Sequence, residues 1–258
     1  MLNTYEDIAI ILACIAGSLI FLWLLPRVWP ASKRRDHNDI IGWQVSVLGT
    51  TYAVVIGFML YAVWTTFQAA ELNADNESNC LVNVYRLADG LPAEPRAEVH
   101  QLARGYIKAV INEEWPSMLK GELAASGHPT IQNMWTVVIQ SKPATFAEQT
   151  SMNLTLAEIS RLTEHRRIRQ LGSQSKLPTI LWLLMISGGG ITILSSCLFG
   201  TDNFLLHALQ VVSLTLMLSL ALVTIADIDR PFQGTLHVTP AGFERAQATF
   251  DQLPPDIK

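Results

Sequence analysis

Charged residues are scarce in this chain of 258 residues: Asp, Glu, Lys and Arg together make up 16%, whereas hydrophobic residues make up 50%. The formal net charge is −4 at pH 7, so the chain has no excess of basic residues with which to bind a phosphate backbone. We therefore expect no nucleic-acid partner. A half-hydrophobic chain with so few charges is typical of a membrane protein, and we expect lipid to surround it.

Cysteine is rare as well, and Cys14, Cys80 and Cys197 include no pair at the spacing of metal ligands. The sequence therefore predicts neither a disulfide framework nor a zinc site. A Walker loop, a dinucleotide-binding glycine fingerprint, a His-Glu-x-x-His motif and a Gly-x-Ser-x-Gly nucleophile motif are also missing. These absences make an enzyme the weakest hypothesis, and we predict no enzymatic activity and no cofactor.

Four long apolar runs are present, and each reaches the roughly 20 residues that a helix needs to cross a bilayer. The first follows Glu6 and Asp7 instead of a basic segment, so we expect it to remain as an anchor and not to be cleaved as a signal peptide. No Asn-Gly or Asp-Gly turn separates short alternating segments, so no sheet is predicted. The runs cover residues 8–30, 40–68, 177–199 and 204–226.

The polar stretch between the second and third runs has a helical pattern. Apolar residues recur at threes and fours from Val99 to Trp115, which predicts one amphipathic helix that ends at Trp115-Pro116. Another helix is predicted after His128-Pro129, and a third from a cap at Ser151 to Gly172.

The sequence thus predicts an all-α fold of four transmembrane helices with a helical extramembrane domain inserted between the second and the third. Its predicted parts are a first transmembrane pair over residues 1–68, a helical insert continuing from the second helix over 69–176, a second transmembrane pair over 177–226, and a C-terminal turn and tail over 227–258.

The second run continues without a break into the polar stretch. No proline occurs between Asp39, a good N-cap residue, and Gly90, which predicts a single helix of about 50 residues and about 75 Å. Small residues on this helix form a seam that lets another helix approach closely. The seam comprises Gly42, Ser46, Gly49, Ala53 and Gly57. Further along, four asparagines share one side of the helix: Asn73, Asn76, Asn79 and Asn83. They form either a face in contact with solvent or a polar lining that fixes the register of neighbouring copies of the helix in an oligomer.

Three smaller patterns also lead to expectations. The triplet Gly188-Gly189-Gly190 is either a close-packing site or a flexible point within a span. The adjacent Glu113 and Glu114 point about 100° apart on a helix, so they cannot share a proton, and we expect them to be exposed at a helix end. Arg166 and Arg169 share a helical face, which is a salt-bridged surface, or else a cationic face toward lipid head groups or anions.

Several segments together carry a resemblance to a known family. They are "NDIIGWQVSVLGTTYAVVIGFMLYAVWTTFQAAE" (38–71), "EEWPSM" (113–118), "LPTILWLL" (177–184) and "DIDRPFQG" (227–234). With them the chain resembles a bacterial family of multi-pass membrane proteins of unknown function that is described as bestrophin-like. The most specific part of the match is the turn after the last span, formed by Asp227, Asp229, Arg230, Pro231, Phe232 and Gly234.

That family is distantly similar to the bestrophin anion channels, which assemble as rings around an axial pore lined by the second membrane segment. The resemblance implies that the second helix lines a path through Thr51, Val55, Phe58, Ala62 and Thr65. This chain departs from the channel motif, because Gln233 separates Pro231-Phe232 from Gly234, and Trp64-Thr65-Thr66 replaces an arginine and a double tryptophan.

The turn itself has more than one interpretation. In one interpretation, Asp227 and Asp229 only cap the end of the last span where it leaves the membrane. The resemblance implies two others: the turn packs against the second helix and couples the insert to the spans, or it binds a divalent cation. Calcium takes about six to eight oxygen ligands, so two carboxylates alone would not complete such a site.

Two hypotheses about function follow. The first is a homo-oligomeric, bestrophin-like channel for anions or small solutes in the bacterial plasma membrane. The second is a membrane protein that does not conduct and whose helical domain binds a partner or senses a signal.

Two arguments about membrane orientation disagree. The short link between the first two spans contains Arg27, Lys33, Arg34 and Arg35. The positive-inside rule places this link in the cytoplasm, and hence both termini and the central domain outside. The resemblance to bestrophins implies the reverse. We take the charge rule as the prediction, because the basic loop is short and long domains cross the membrane largely regardless of charge.

Overall fold

The computed structural model describes residues 4–123 and 126–252. In these ranges the chain is helical and contains no strand, which confirms the all-α prediction. The helices are α1 (Thr4–Val28), α2 (Ala31–Arg35), α3 (Asn38–Ala88), α4 (Ala93–Ala109), a π-helical turn (Val110–Glu114), α5 (Trp115–Leu119), α6 (Gly127–Gln140), α7 (Phe146–Gly172), α8 (Thr179–Cys197), α9 (Phe204–Ile228) and α10 (Ala241–Gln252).

Four of these helices, α1, α3, α8 and α9, are long and apolar enough to cross a membrane. They coincide with the four apolar runs, so the prediction of four candidate spans is confirmed. The second of them, α3, is 51 residues long, as the absence of proline from this stretch predicts.

The helices form two compact units. The first contains the chain up to Thr65 together with Lys176–Asp229, and the second contains Thr66–Ser175 together with the chain from Arg230 onward. Because α3 runs through Thr65, it contributes its first half to the first unit and its second half to the second.

The first unit has a small interior and an apolar exterior. Leu22, Cys197 and Val211 form its buried cluster, where α1 packs against α8 and α9. Many other large apolar side chains point outward, among them Leu205 and Met217 of α9. Such extensive exposed apolar surface is not typical of a soluble protein and fits a lipid-facing bundle.

One end of the first unit is closed by polar contacts to backbone carbonyls. Arg34 of α2 is buried and donates from Nη1 to the carbonyls of Cys197 (2.9 Å) and Phe199 (3.1 Å). Asn38 accepts a hydrogen bond from the Gly200 amide (2.8 Å) and donates to the Gly200 carbonyl (3.0 Å). The link between α1 and α3 is thereby fixed to the link between α8 and α9, so both links lie at the same end.

The second unit has a conventional hydrophobic core. Within it, α4 packs against α6 and α10, and α6 packs against α7. The amphipathic stripe predicted for α4 is buried at most of its positions, while Leu102 and Ile111 are half-buried. The fully buried members are Val99, Tyr106, Ile107, Val110 and Trp115.

Two predicted helix ends in this unit are wrong. The helical path does not stop at Trp115-Pro116 but continues as α5 to Leu119. The Trp115 amide bonds to the Val110 carbonyl five residues back, which closes the π-helical turn. Pro116 then occupies the first turn of α5, where its missing N–H is tolerated.

The predicted start of α7 at Ser151 is also wrong, because the helix begins at Phe146. Thr145 and Glu148 form a capping box, in which the Thr145 hydroxyl accepts from the Glu148 amide and the Glu148 carboxylate accepts from the Thr145 amide (3.2 Å each). Ser151 instead lies one turn inside the helix, where its hydroxyl donates to the Leu87 carbonyl.

Candidate functional site

The first half of α3 carries the path residues predicted from the resemblance. Thr51 and Phe58 are exposed, the latter with 67% of its surface accessible, while Val55, Ala62 and Thr65 are half-buried. Phe58 also belongs to an open apolar groove of about 480 Å³ on this helix, shared with Val54, Gly57 and Tyr61. Much of this face of α3 is therefore uncovered by the helices of its own unit.

Most of the small-residue seam lies on roughly the opposite side of α3, since successive residues advance about 100° around a helix, while Gly57 at its end also borders the groove of Phe58. Nothing lies within 4 Å of a Cβ atom built on Gly49 or Gly57. At Gly42 such an atom would meet only the Phe199 ring, at 3.8 Å. Ser46 and Ala53 are exposed. Beyond Gly42, none of the helices that the structure describes occupies the seam.

A third face of α3 holds Tyr52, which packs against the glycine triplet of α8. Its hydroxyl donates to the Met185 carbonyl (2.8 Å). A Cβ atom on Gly188 would come within 2.8 Å of the Tyr52 ring, and one on Gly189 within 2.8 Å of its hydroxyl. Gly190 faces open space. The close-packing interpretation of the triplet is confirmed for its first two glycines.

The turn after α9 begins with a capping contact in the first unit. The Asp229 carboxylate accepts a hydrogen bond from the Leu177 amide (2.7 Å), just before α8. Asp227 is half-buried in the last turn of α9. In the described residues, no group of three His, Cys, Asp or Glu side chains is placed to hold a metal ion.

The rest of the turn packs into the second unit. Phe232 is buried, with its ring edge-on to Trp115 at 5.7 Å between centroids. The Pro231 carbonyl accepts from the Val238 amide (2.7 Å), and the Trp115 indole donates to the Val238 carbonyl (3.1 Å). The structure thus brings together two motifs of the resemblance, "EEWPSM" and "DIDRPFQG".

The remaining turn residues have local roles. Arg230 is exposed and donates to the Gln233 side chain (3.3 Å). Gly234 has a φ of 85°, in the left-handed region that side chains disfavour, so the chain reverses there only because the residue is glycine.

A buried cluster of charges in the second unit is missing from the sequence-based expectations. Arg169 donates from Nε and Nη2 to Glu77 (2.7 and 3.0 Å) and from Nη2 to Glu114 (2.7 Å). Arg166 donates to the other Glu114 oxygen (2.6 Å). The Tyr106 hydroxyl donates to Glu77 (2.5 Å). We call these five residues the buried charge cluster.

Glu114 corrects the expectation of an exposed acidic pair, since only 1% of its surface is accessible whereas Glu113 is exposed. Both arginines form ion pairs, as one interpretation stated, but these pairs are buried and not on the surface. A sequence signal for this existed: Ile159, Leu162, Arg166 and Arg169 follow each other at spacings of three, four and three, so the arginines continue an apolar stripe into the core.

The charges in the cluster balance, with two carboxylates against two guanidinium groups. Burial alone would raise the pKa of Glu114, but Arg169 and Arg166 beside it hold that pKa below its usual range. Burial and the neighbouring Glu77 carboxylate raise the pKa of Tyr106 well above its ordinary value, so its phenol stays neutral and donates. The cluster therefore joins α3 and α4 to α7 through buried, hydrogen-bonded ion pairs.

The comparison with known families now decides the identity of the chain. The family model of the bestrophin-like domain matches residues 12–243. The chain belongs to the bestrophin-like family. A comparison with curated protein sequences finds no match.

The bestrophin-like fold is also found among solved structures. A crystal structure of a bacterial bestrophin homologue from Klebsiella pneumoniae has a TM-score of 0.67 at 13% identity, with 96% of this chain and 99% of that chain covered. A point mutant of the Klebsiella pneumoniae homologue gives 0.69 at 14% identity, with 96% and 100% covered. At this level of identity the likeness shows a shared fold, and the resemblance seen in the sequence is confirmed.

Proposed function

We propose that this bestrophin-like protein is a homo-oligomeric anion channel of the bacterial plasma membrane, in which copies of α3 line the path. In this proposal, residues 69–176 form the extramembrane domain between the second and third spans. The observation that carries the proposal is the uncovered face of α3 around Thr51 and Phe58. The resemblance to bestrophin channels implies that this helix lines the path.

The seam supplies a place for the next copy. Gly49 and Gly57 face open space within their own chain, and small residues allow two helices in a bilayer to come close. Because most of the seam lies on roughly the opposite side of α3 from the path face, a neighbour at the seam leaves the path face uncovered.

The chemistry of the path face is compatible with the passage of anions. Its five residues include no carboxylate that would repel an anion, and Thr51 and Thr65 contribute hydroxyl groups near its two ends. Phe58 lies between them as a bulky apolar side chain. Apolar constrictions of this kind gate conduction by excluding water.

The proposal is tested by anion influx into liposomes that contain the purified protein. We expect wild-type protein to carry anions and Phe58→Ala to change the rate, since it removes the bulky group from the path. Phe204→Ala is the matched control, because Phe204 is also an exposed aromatic, with 52% of its surface accessible, but lies on α9. Stable protein without influx would overturn the channel and favour the non-conducting hypothesis, in which the helical domain binds a partner.

A further inference from the structure

We infer that Tyr52 fixes the direction in which the first half of α3 faces α8, and that it thereby positions the conducting face. Its ring lies in a slot made by Gly188 and Gly189, which we call the glycine slot. The inference rests on the proposed function, because it assigns a positioning role for the same path.

The first half of α3 faces the rest of its unit along one line of buried residues. Between Asn38 and Thr65, all of which the structure describes, only Ile41, Tyr52 and Val63 are buried. They are spaced by 11 residues, close to three full helical turns, so they lie on one side of the helix. Half-buried residues such as Leu48 and Met59 flank this line.

Of the three buried residues, Tyr52 makes the directional contact. Ile41 and Val63 have aliphatic side chains, whose packing is not directional. The Tyr52 hydroxyl, in contrast, is aimed at one acceptor, the Met185 carbonyl, at 2.8 Å. The flat ring fits only because its two neighbours on α8 have no side chain, since a Cβ atom on Gly188 would lie 2.8 and 2.9 Å from ring carbons.

This contact determines where the path residues point. Thr51 and Tyr52 are consecutive, so their side chains leave α3 about 100° apart. Fixing the direction of Tyr52 toward α8 therefore fixes Thr51 to one side of that contact, together with Phe58 on the same face. Expelling the ring from the glycine slot would turn both away from their native direction.

Three alanine substitutions in the triplet form a matched set. Gly188→Ala and Gly189→Ala put a methyl group where the ring or the hydroxyl lies, and overpacking of this kind should lower the thermal midpoint by about 3 to 10 °C. Gly190→Ala adds the same methyl group toward open space and should leave the midpoint unchanged. Equal thermal midpoints for all three variants would contradict the close packing of Tyr52 in the glycine slot.

The positioning role is tested by the anion permeability sequence in liposomes, a property that a purely structural contact would not change. We expect Gly188→Ala and Tyr52→Ala to alter this sequence or abolish influx, while Gly190→Ala matches wild type. Tyr52→Phe keeps the ring in the slot but removes the hydroxyl bond to the Met185 carbonyl, so it should alter the sequence less than Tyr52→Ala does.

The outcomes separate the two claims. If wild-type protein conducts and the slot variants keep the wild-type permeability sequence, the positioning role is wrong and the channel stands. If wild-type protein carries no anion, the channel proposal fails and the positioning role fails with it.

Discussion

At the scale of single residues, the buried Glu114 carboxylate accepts hydrogen bonds from three donors. One of its oxygens accepts from Arg166 and from the Gly127 amide (2.9 Å), and the other accepts from Arg169. A buried carboxylate is tolerated only with such compensation, because an isolated buried charge is very costly. Glu114 therefore keeps two guanidinium groups buried in the second unit.

We predict that Glu114→Ala destabilises the protein strongly, by about 3–5 kcal/mol, because it leaves Arg166 without its carboxylate partner and Arg169 with only one. The neighbouring Glu113 is the control, since an exposed residue changed to alanine shifts stability by about 0.5 kcal/mol or less. Thermal unfolding in mild detergent measures the difference. Equal midpoints for Glu114→Ala and Glu113→Ala would show that the buried charge cluster does not stabilise the fold.

The turn after α9 offers a second test at this scale. Asp229→Ala removes the acceptor of the Leu177 amide, and we expect a loss of about 1–3 kcal/mol, seen as a lower thermal midpoint. Asp229→Asn keeps an acceptor oxygen and should lose less. An unchanged midpoint for both Asp227→Ala and Asp229→Ala would contradict any stabilising role for these carboxylates, including the predicted coupling of the turn to the second helix.

At the scale of elements, the long helices were predictable, as was the end of α7 at Gly172, whereas two other helix ends were not. The length of α3 follows from a stretch without proline, and the four candidate spans follow from apolar composition. The start of α7 was misplaced although Thr145-Phe-Ala-Glu148 is a readable capping box. The continuation through Pro116 was not predictable from helical periodicity, because it depends on a π-helical turn with a different repeat.

The buried charge cluster had a second signal in the sequence. Glu114 follows Ile107 by seven residues and Val110 by four, so counting at 3.6 residues per turn places it on the buried stripe of α4. It was missed because a carboxylate is expected at the surface. The path residues of α3 also lie in a regular helix, so their common face was predictable. Whether that face conducts depends on other copies of the chain, which a single sequence does not describe.

The seam of α3 can be tested as an element. Gly49→Leu fills the open space at the seam, and we expect it to weaken assembly without unfolding the chain. Gly17→Leu on α1 is the matched control, since Gly17 also has nothing within 4 Å of a built Cβ atom. The mass of the purified protein particle in mild detergent distinguishes the two variants, because it reports how many copies have assembled. If Gly49→Leu forms the same oligomer as wild type, or if wild type is a stable monomer, the seam is not a surface through which copies assemble.

At the scale of the whole molecule, membrane orientation is the least constrained property. The structure places the α1–α3 and α8–α9 links at the same end of the first unit, joined by Arg34 and Asn38. One orientation therefore applies to both links, and the basic residues of the first link decide it under the positive-inside rule.

We predict that both termini and the central domain lie outside the cytoplasm. Reporter fusions at Gly127 and at the C-terminus measure this: alkaline phosphatase should be active at both sites. A fluorescent protein that folds and fluoresces at both sites would establish the reverse orientation, which the resemblance to bestrophins implies.

The central claim, that α3 lines an anion path, is tested most directly by the reversal potential of purified protein in a planar bilayer between unequal chloride concentrations. We predict currents whose reversal potential lies close to the chloride equilibrium potential, with a conductance altered by Phe58→Ala and unaltered by Phe204→Ala. A reversal potential that follows the cation, or a correctly assembled protein that passes no current, would contradict it.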